Sequence, residues 1–566
     1  MLKRRICALL LCGALLSGLT ASAQAVDFPD VSTEYWAYED IQKASDCGLI
    51  QGLEDGTFRP EERLNRASFV TILQRMFGWE TELPETPSFA DAAPADWYYG
   101  AVETARAHGV TEEGENFYPM AYITREDMAV MLVRALGYEE LAEAVAEDGC
   151  PFPDVTGYQG HIALAAAFGL TNGVEVDGQL LFQPDDFATR GQAAAMLVRV
   201  YERYTSSIGY LNGFYAFSSY GQIGLTQNMD AVALGWSRLC WDQEAGEPWL
   251  NSTSEGGNDW VRPQGAEEAT SYFDANGTAY ALSVYADTTQ DVTLPDGSRA
   301  SVPEAVLPDP AARAAAVTAI CAAAGDYAGV VIDFEGFRTE KLRADFVSFM
   351  QELRAALPAD KTLSVCVPPD TWYKGYDYRA LGEVCDRVIL MAHDYQWTSV
   401  PDYMLGRPMG VDADSSSPVT PLPEIYRALA AITDGETGVQ DRSKVVLQIS
   451  FGTAGFQMDE NGCLVSDTIY HPAPETIARR LRQSDTVVSY DSLYRNPVAR
   501  YSGDSGDRYI LWYEDARSVA DKLTLARMFG VTGVSVWRLG TIPAYTDIPN
   551  YDVWSAILAQ RPGGTN

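Results

Sequence analysis

What this sequence has little of narrows it first. Basic residues are scarce: 41 lysines and arginines stand against 78 aspartates and glutamates, a formal charge of −37. Such a chain has no non-specific hold on nucleic acid or on an anionic membrane. Any acidic polymer it binds must be gripped locally, by placed arginines. Histidines number four and lie far apart, and no cysteine pair has zinc-site spacing, which argues against a structural metal. Nine cysteines include Cys7 and Cys12 near the start; the other seven are an odd, scattered set. They read as buried free thiols rather than a disulfide framework. No apolar run beyond the first 25 residues is long enough to span a bilayer, so a soluble mature chain is expected.

What is present is ample material for packed domains. Of 566 residues 47% are hydrophobic and 11% aromatic, too long a chain for one ordinary core. Residues 1–25 read as a secretory signal. Lys3, Arg4 and Arg5 give the charged start, Ile6 to Leu19 the apolar stretch, and Ala21-Ser22-Ala23-Gln24-Ala25 the small-residue cleavage site.

Self-similarity follows at once. Phe28-Pro29-Asp30-Val31 recurs as Phe89-Ala90-Asp91-Ala92 and Phe152-Pro153-Asp154-Val155, about sixty residues apart. Each block leads into a helical pattern ending in Gly48-Leu49, Gly109-Val110 or Gly169-Leu170, then a Gly/Phe/Pro turn, then an Arg-bearing helix start. Those starts are Asn65-Arg66, Thr124-Arg125 and Thr189-Arg190, with Asn65, Thr124 and Thr189 placed as N-caps. The blocks resemble the S-layer homology (SLH) domain over about 28–204, with repeats at 26–84, 85–148 and 149–204. The resemblance implies mostly helical repeats that attach without covalent bonds to a cell-wall polysaccharide. Arg66, Arg125 and Arg190 would be bidentate donors to its carboxylate or ketal oxygens, and Trp36 and Trp97 would stack on sugar faces. The third repeat has Gly157-Tyr158 in place of that tryptophan.

After a short link the pattern changes to apolar runs alternating with helices. Strands are predicted at Tyr210–Phe217, Met229–Ser237, Thr278–Ala286, Gly329–Glu335, Thr362–Pro368, Arg387–Asp394, Lys444–Phe451 and Thr532–Arg538. Amphipathic helices between them include Asp309–Ala324, Thr339–Leu357 and Asp515–Phe529. Continuous apolar strands suit parallel pairing under a helical cover. Eight of them point to an α/β chain folded as a (β/α)8 TIM barrel over 209–561, with a small inserted α+β lobe at about 452–510. A doubly wound open sheet would more often show a Gly-rich phosphate turn, and none is present.

The chemistry concentrates in Val330-Val331-Ile332-Asp333-Phe334-Glu335. Alternation along a strand sends Val330, Ile332 and Phe334 to the helix layer and Val331, Asp333 and Glu335 into the barrel. Two carboxyls this close should raise the pKa of one, which suits a general acid. This segment resembles the fourth strand of glycoside hydrolase family 18, in its spore-cortex and peptidoglycan branch, with Ala328 and Val331 where that family has its first two aspartates. Met391-Ala392-His393-Asp394 resembles a second motif of the family, with His393 in place of a tyrosine. Trp537 resembles the last-strand tryptophan that floors the sugar site, and Trp512 to Ser518 also looks like this branch.

The resemblance implies that Glu335 protonates the glycosidic oxygen while the substrate's acetamido carbonyl attacks, with Asp333 positioning the acetamide, and no cofactor. Asp394 and His393 complete the catalytic set. His393, or Tyr395, would hydrogen-bond the acetamido group, and Trp537, Tyr395 and Tyr215 make up the substrate-binding set. The expected protein is secreted, bound to the wall or S-layer through its repeats, and cuts an N-acetylglucosamine-containing glycan. A wall-anchored glycan-binding protein without turnover remains the alternative, on the strength of Ala328, Val331 and His393. A purely structural S-layer subunit would not need a mouth-facing acid pair.

Overall fold

Glycines at helix ends, aspartates at turn starts and capped helix N-termini give the N-terminal unit its shape. In a computed structural model that describes residues 27–294, 296–503 and 506–563, two compact units are distinct, dividing at Ser206 and Ser207. The expected signal segment lies outside the described residues.

Each repeat of the first unit is built on a pair of helices: Tyr38–Asp46 and Arg66–Phe77, Tyr99–Ala107 and Arg125–Ala135, Gln159–Ala167 and Arg190–Tyr204, and the second repeat adds the short helix Glu139–Ala144. Asn65, Thr124 and Thr189 cap the second helices, accepting from the backbone N–H groups of Ser68, Asp127 and Gln192. The repeated aspartate has an equally local role. Asp30 accepts from the N–H groups of Phe58 and Arg59, Asp91 from Phe117 and Tyr118, and Asp154 from Phe182 and Gln183, all at 2.6–2.8 Å. Arg59, Tyr118 and Gln183 lie in the left-handed region, with φ of 56°, 57° and 58°. Two charge-assisted bonds offset that strain.

The three repeats close on one another. Leu64 N–H donates to Ala188 C=O (3.0 Å), Ala188 N–H to Ile123 C=O (2.9 Å), and Ile123 N–H to Leu64 C=O (2.9 Å). All three side chains are buried. The order first, third, second, first makes this a ring of backbone bonds, not a row.

In the second unit eight strands form one closed parallel barrel. They are β1 (Tyr210–Tyr215), β2 (Ala231–Asp242), β3 (Ala279–Ala286), β4 (Gly329–Phe334), β5 (Thr362–Val367), β6 (Arg387–Leu390), β7 (Val445–Ser450) and β8 (Gly533–Trp537). β8 pairs with β1, and β1 with β2, which closes the cylinder. All eight predicted strands are present, most ending a residue or more earlier. β2 instead runs on to Asp242 and pairs antiparallel with Glu247–Asn251. The helices Pro310–Ala323, Arg343–Ala356 and Ala516–Met528 lie within the predicted ranges.

Inside the barrel sit Phe214, Ala233, Ala281, Val331, Cys366, Ile389 and Val446. Gly329 opens β4 because a Cβ there would meet the Thr362 side chain and carbonyl of β5 at 2.0 and 2.5 Å. Between β7 and β8 an antiparallel sheet of four strands (Ala454–Met458, Val487–Tyr490, Pro497–Ser502, Arg508–Trp512) and the helix Pro474–Leu481 form the lobe. Its last strand carries on to Trp512, past the expected end.

A buried polar knot ties the lobe to the barrel. Glu514 accepts from Lys522 Nζ at 2.8 and 3.0 Å, from Asn496 Nδ2 at 2.8 Å, from Ser518 Oγ at 2.5 Å, and from Thr420 Oγ1. Both members of the ion pair are almost wholly buried.

Candidate active site

The strand parity of β4 holds. Phe334 points outward and lies against Phe346 and Phe349 of the helix Arg343–Ala356 (centroids 5.9 and 5.4 Å). Val331 is in the barrel interior, and Asp333, two residues on, shares that side and is 2% exposed. Glu335 follows at the end of the strand, where Gly336 turns the chain with φ of 93°. A cavity of about 200 Å³ opens there, lined by Glu335, Trp372, Tyr373, Met391, His393 and Asp394.

Both carboxyls hold their protons well above the ordinary range. Burial raises Asp333. Burial and then the charge of Asp333 raise Glu335, against a smaller opposing pull from His393. Asp333 Oδ1 is buried with no hydrogen-bond partner.

His393 lines this cavity with both ring nitrogens partnered. Its Nδ1 lies 2.7 Å from Asp394 Oδ2 and its Nε2 2.6 Å from Gln448 Oε1. Two acceptors call for two N–H donors, which is an imidazolium. Burial disfavours that charge, but the bonds to Asp394 and Gln448 outweigh it and raise the His393 pKa. Both nitrogens are thus engaged within the protein. Asp394, with φ of 62° and a half-exposed side chain, stays below the usual carboxylate range: burial opposes this, and the His393 bond and charge outweigh it.

Tyr395 is not a free donor either. Its hydroxyl is aimed at the Glu424 carbonyl, 3.5 Å away, and its ring backs Trp372 at 5.3 Å. Tyr215 is a plain correction. Phe214 takes the inward position on β1, so Tyr215 faces the helix layer, 3% exposed against Trp236 and Phe273. Trp537 is at the mouth, 5.2 Å from Phe214 and 6.4 Å from Trp260, and the bond to Arg538 is cis.

Residues that sequence reading missed complete the wall. Tyr285 stacks on Trp260 (4.3 Å, 13°) and donates to Asp287 Oδ2 at 3.0 Å, while Arg238 donates to Asp287 Oδ1 at 3.1 Å. Gln448 was detectable as a lone amide in the apolar run Val445–Ser450, and Tyr285 as the inward position of β3 at the level of Asp333. Trp372, on a loop, carries no periodic signal.

In the first unit the three arginines are joints before they are ligands. Arg66 Nε donates to Phe117 C=O (3.0 Å), Arg125 Nε to Phe182 C=O (2.8 Å) and Arg190 Nε to Phe58 C=O (2.8 Å), each in the next repeat around the ring. Arg66 also pairs with Asp127 at 2.9 Å, and Arg190 Nη2 donates to Gln51 C=O at 2.9 Å. The Nε donor of each arginine is thus committed inside the ring. Trp36 and Trp97 are 59% and 63% exposed, as stacking platforms must be. Among the described residues no cluster of metal-ligating side chains is present, and no helix is long and apolar enough to cross a membrane.

Residues 306–541 match the model of glycosyl hydrolases family 18, and residues 27–70, 88–129 and 151–194 match the S-layer homology domain. The cortical fragment-lytic enzyme of Bacillus anthracis is 25% identical over 215 residues, 37% of this chain and 45% of that protein. The S-layer protein of Bacillus licheniformis is 30% identical over 196 residues, 34% of this chain and 22% of that one. Among solved structures, the spore cortex-lytic enzyme SleL of Bacillus cereus has a TM-score of 0.47 at 16% identity, over 71% of this chain and 83% of that chain. The chain spans less than half the length of these two curated relatives. By these matches, the chain carries three S-layer homology repeats followed by a glycoside hydrolase family 18 domain.

Proposed function

We propose that this chain is a secreted, wall-anchored glycosidase that cuts an N-acetylglucosamine-containing glycan, peptidoglycan or chitin-like, by substrate-assisted retaining catalysis. The observation that carries the reading is the pair of carboxyls at the end of β4, of which Glu335 keeps its proton at neutral pH because it is buried beside Asp333. Glu335 donates that proton to the glycosidic oxygen as the C1–O bond breaks, and the acetamido oxygen of the same sugar closes on C1. Water then opens the oxazolinium ion, giving its proton to Glu335 and restoring the acid with net retention. Asp333 Oδ1, buried and unpartnered, accepts the acetamide N–H, and in its ionised form Asp333 balances the developing positive charge. Asp394, held ionised, accepts from the sugar at the rim, and Trp537 and Trp372 supply apolar faces for the rings.

The repeats hold the enzyme on a wall polysaccharide, Trp36 and Trp97 providing stacking surfaces. A glycan-binding protein without turnover is the second reading, favoured by Val331 standing where the family has a carboxylate. Purified peptidoglycan and chitin oligomers incubated with the full chain, with new reducing ends read by mass spectrometry, decide between them. A thiazoline analogue of N-acetylglucosamine should inhibit competitively, because it resembles the bicyclic intermediate. Cleavage that ignores the thiazoline would refute the mechanism, and no cleavage of any acetamido glycan would leave the binding reading.

A further inference from the structure

Asp333 has one thiol for company. The register of β4 against β5 pairs Val331 with Ser364 and Ile332 with Val365, so the next step sets Cys366 beside Asp333. Cys366 is wholly buried in the barrel interior, in the same cluster as Val331. On that register its thiol faces the Asp333 carboxyl; burial pushes the Asp333 pKa up, and the facing thiol opposes that push. Ser283 of β3, paired with Val331 one level below, leaves its buried hydroxyl without a partner and so does not compete.

We infer that Cys366 is a positioning residue for Asp333: its thiol holds one carboxyl oxygen in the barrel and leaves Oδ1 turned to an incoming acetamide N–H. The inference rests on the proposed reaction. It gives Asp333 a resting partner from β5 where Val331, on its own strand, offers none. A thiol suits the place because it is a weak donor, small enough for the interior, and neutral: burial, and then the nearby carboxyls, hold it well above its usual pKa. The other titratable and charged groups facing Asp333 are Glu335 on its own strand, Tyr285 on β3 and Tyr376 after β5, with His393 and Asp394 beyond Glu335.

The test compares Cys366→Ala and Cys366→Ser in the full chain. Alanine removes the donor and serine replaces it with a stronger one, so the two should move Asp333 in opposite directions. The Asp333 carboxyl, followed by carbon-13 NMR with Asp333→Asn as the blank, should titrate at higher pH in the alanine variant and at lower pH in the serine variant. With alanine, kcat should fall about threefold to tenfold, the worth of one hydrogen bond, with KM little changed. With serine, activity should stay within about threefold of wild type.

Shifts of the same sign in both variants, or none, would mean Cys366 only fills space, and the inference would fail. Should the alanine variant not fold, the serine variant alone decides, since a downward shift needs a donor at that place. The titration needs no turnover, so a wild-type chain that cleaves no glycan sinks the proposed function and leaves this test standing.

Discussion

Replacing Glu335 by glutamine should make a dead enzyme that is more stable than the live one, by an amount that grows with pH. An unfolded chain releases the Glu335 proton near 4.5, whereas the fold keeps it up to about 8. The sign follows: above 4.5 the unfolded state sheds a proton the native state retains, so stability contributed below that pH is lost as pH rises towards 8. The ceiling on this loss is about 1.4 kcal/mol per pH unit for one group. The mouth admits water and Asp333 shares the titration, so about half that slope is expected, giving roughly 1–2 kcal/mol at pH 6.5. Glutamine keeps the volume and carries no proton to lose. Urea unfolding of wild type and variant at pH 5, 6, 7 and 8, followed by tryptophan fluorescence, reads the difference directly. Turnover should drop by orders of magnitude at every pH. A stability difference that is flat across this range, or a variant that is weaker throughout, would refute the claim that burial holds the proton on Glu335.

Two further outcomes are expected. Lys522→Met leaves Glu514 buried with its charge and three uncharged donors, and should cost about 3–5 kcal/mol in the same unfolding assay, much of it recovered by adding Glu514→Gln. The full chain should bind wall sacculi that keep their secondary polymer and not acid-stripped sacculi; Trp36→Ala with Trp97→Ala should weaken that binding at least tenfold, and equal binding to both preparations would refute polymer recognition.

The barrel was legible because parallel strands covered on both sides must be apolar throughout, and such runs announce themselves without alternation. Parity from Val331 to Glu335 then placed both carboxyls correctly, since a strand has only two faces. The same rule applied to Tyr215 would have needed to know which of Phe214 and Tyr215 faces in, and both are aromatic. His393 was legible as a departure but not as a committed group, because Gln448 lies 55 positions further on and its bond to the imidazole is a product of the closed barrel. The arginines of the repeats looked like ligands for a similar reason. Their carbonyl partners are in the next repeat, 51, 57 and 132 positions away, distances at which no local pattern speaks.

The closed circuit through Leu64, Ile123 and Ala188 changes what kind of object the repeats are. In an open array each module meets only its neighbours, so a terminal module can be trimmed with the loss of one junction, and order can spread from any point. A ring has no terminal module. Deleting the third repeat removes two junctions at once, strips the Phe58 carbonyl of the first repeat of its Arg190 donor, and exposes Leu64 and Ile123 together. Assembly is accordingly all or none: the first repeat leaves the ribosome before the segment that completes it exists, and it waits half-finished until Thr189 and Arg190 arrive.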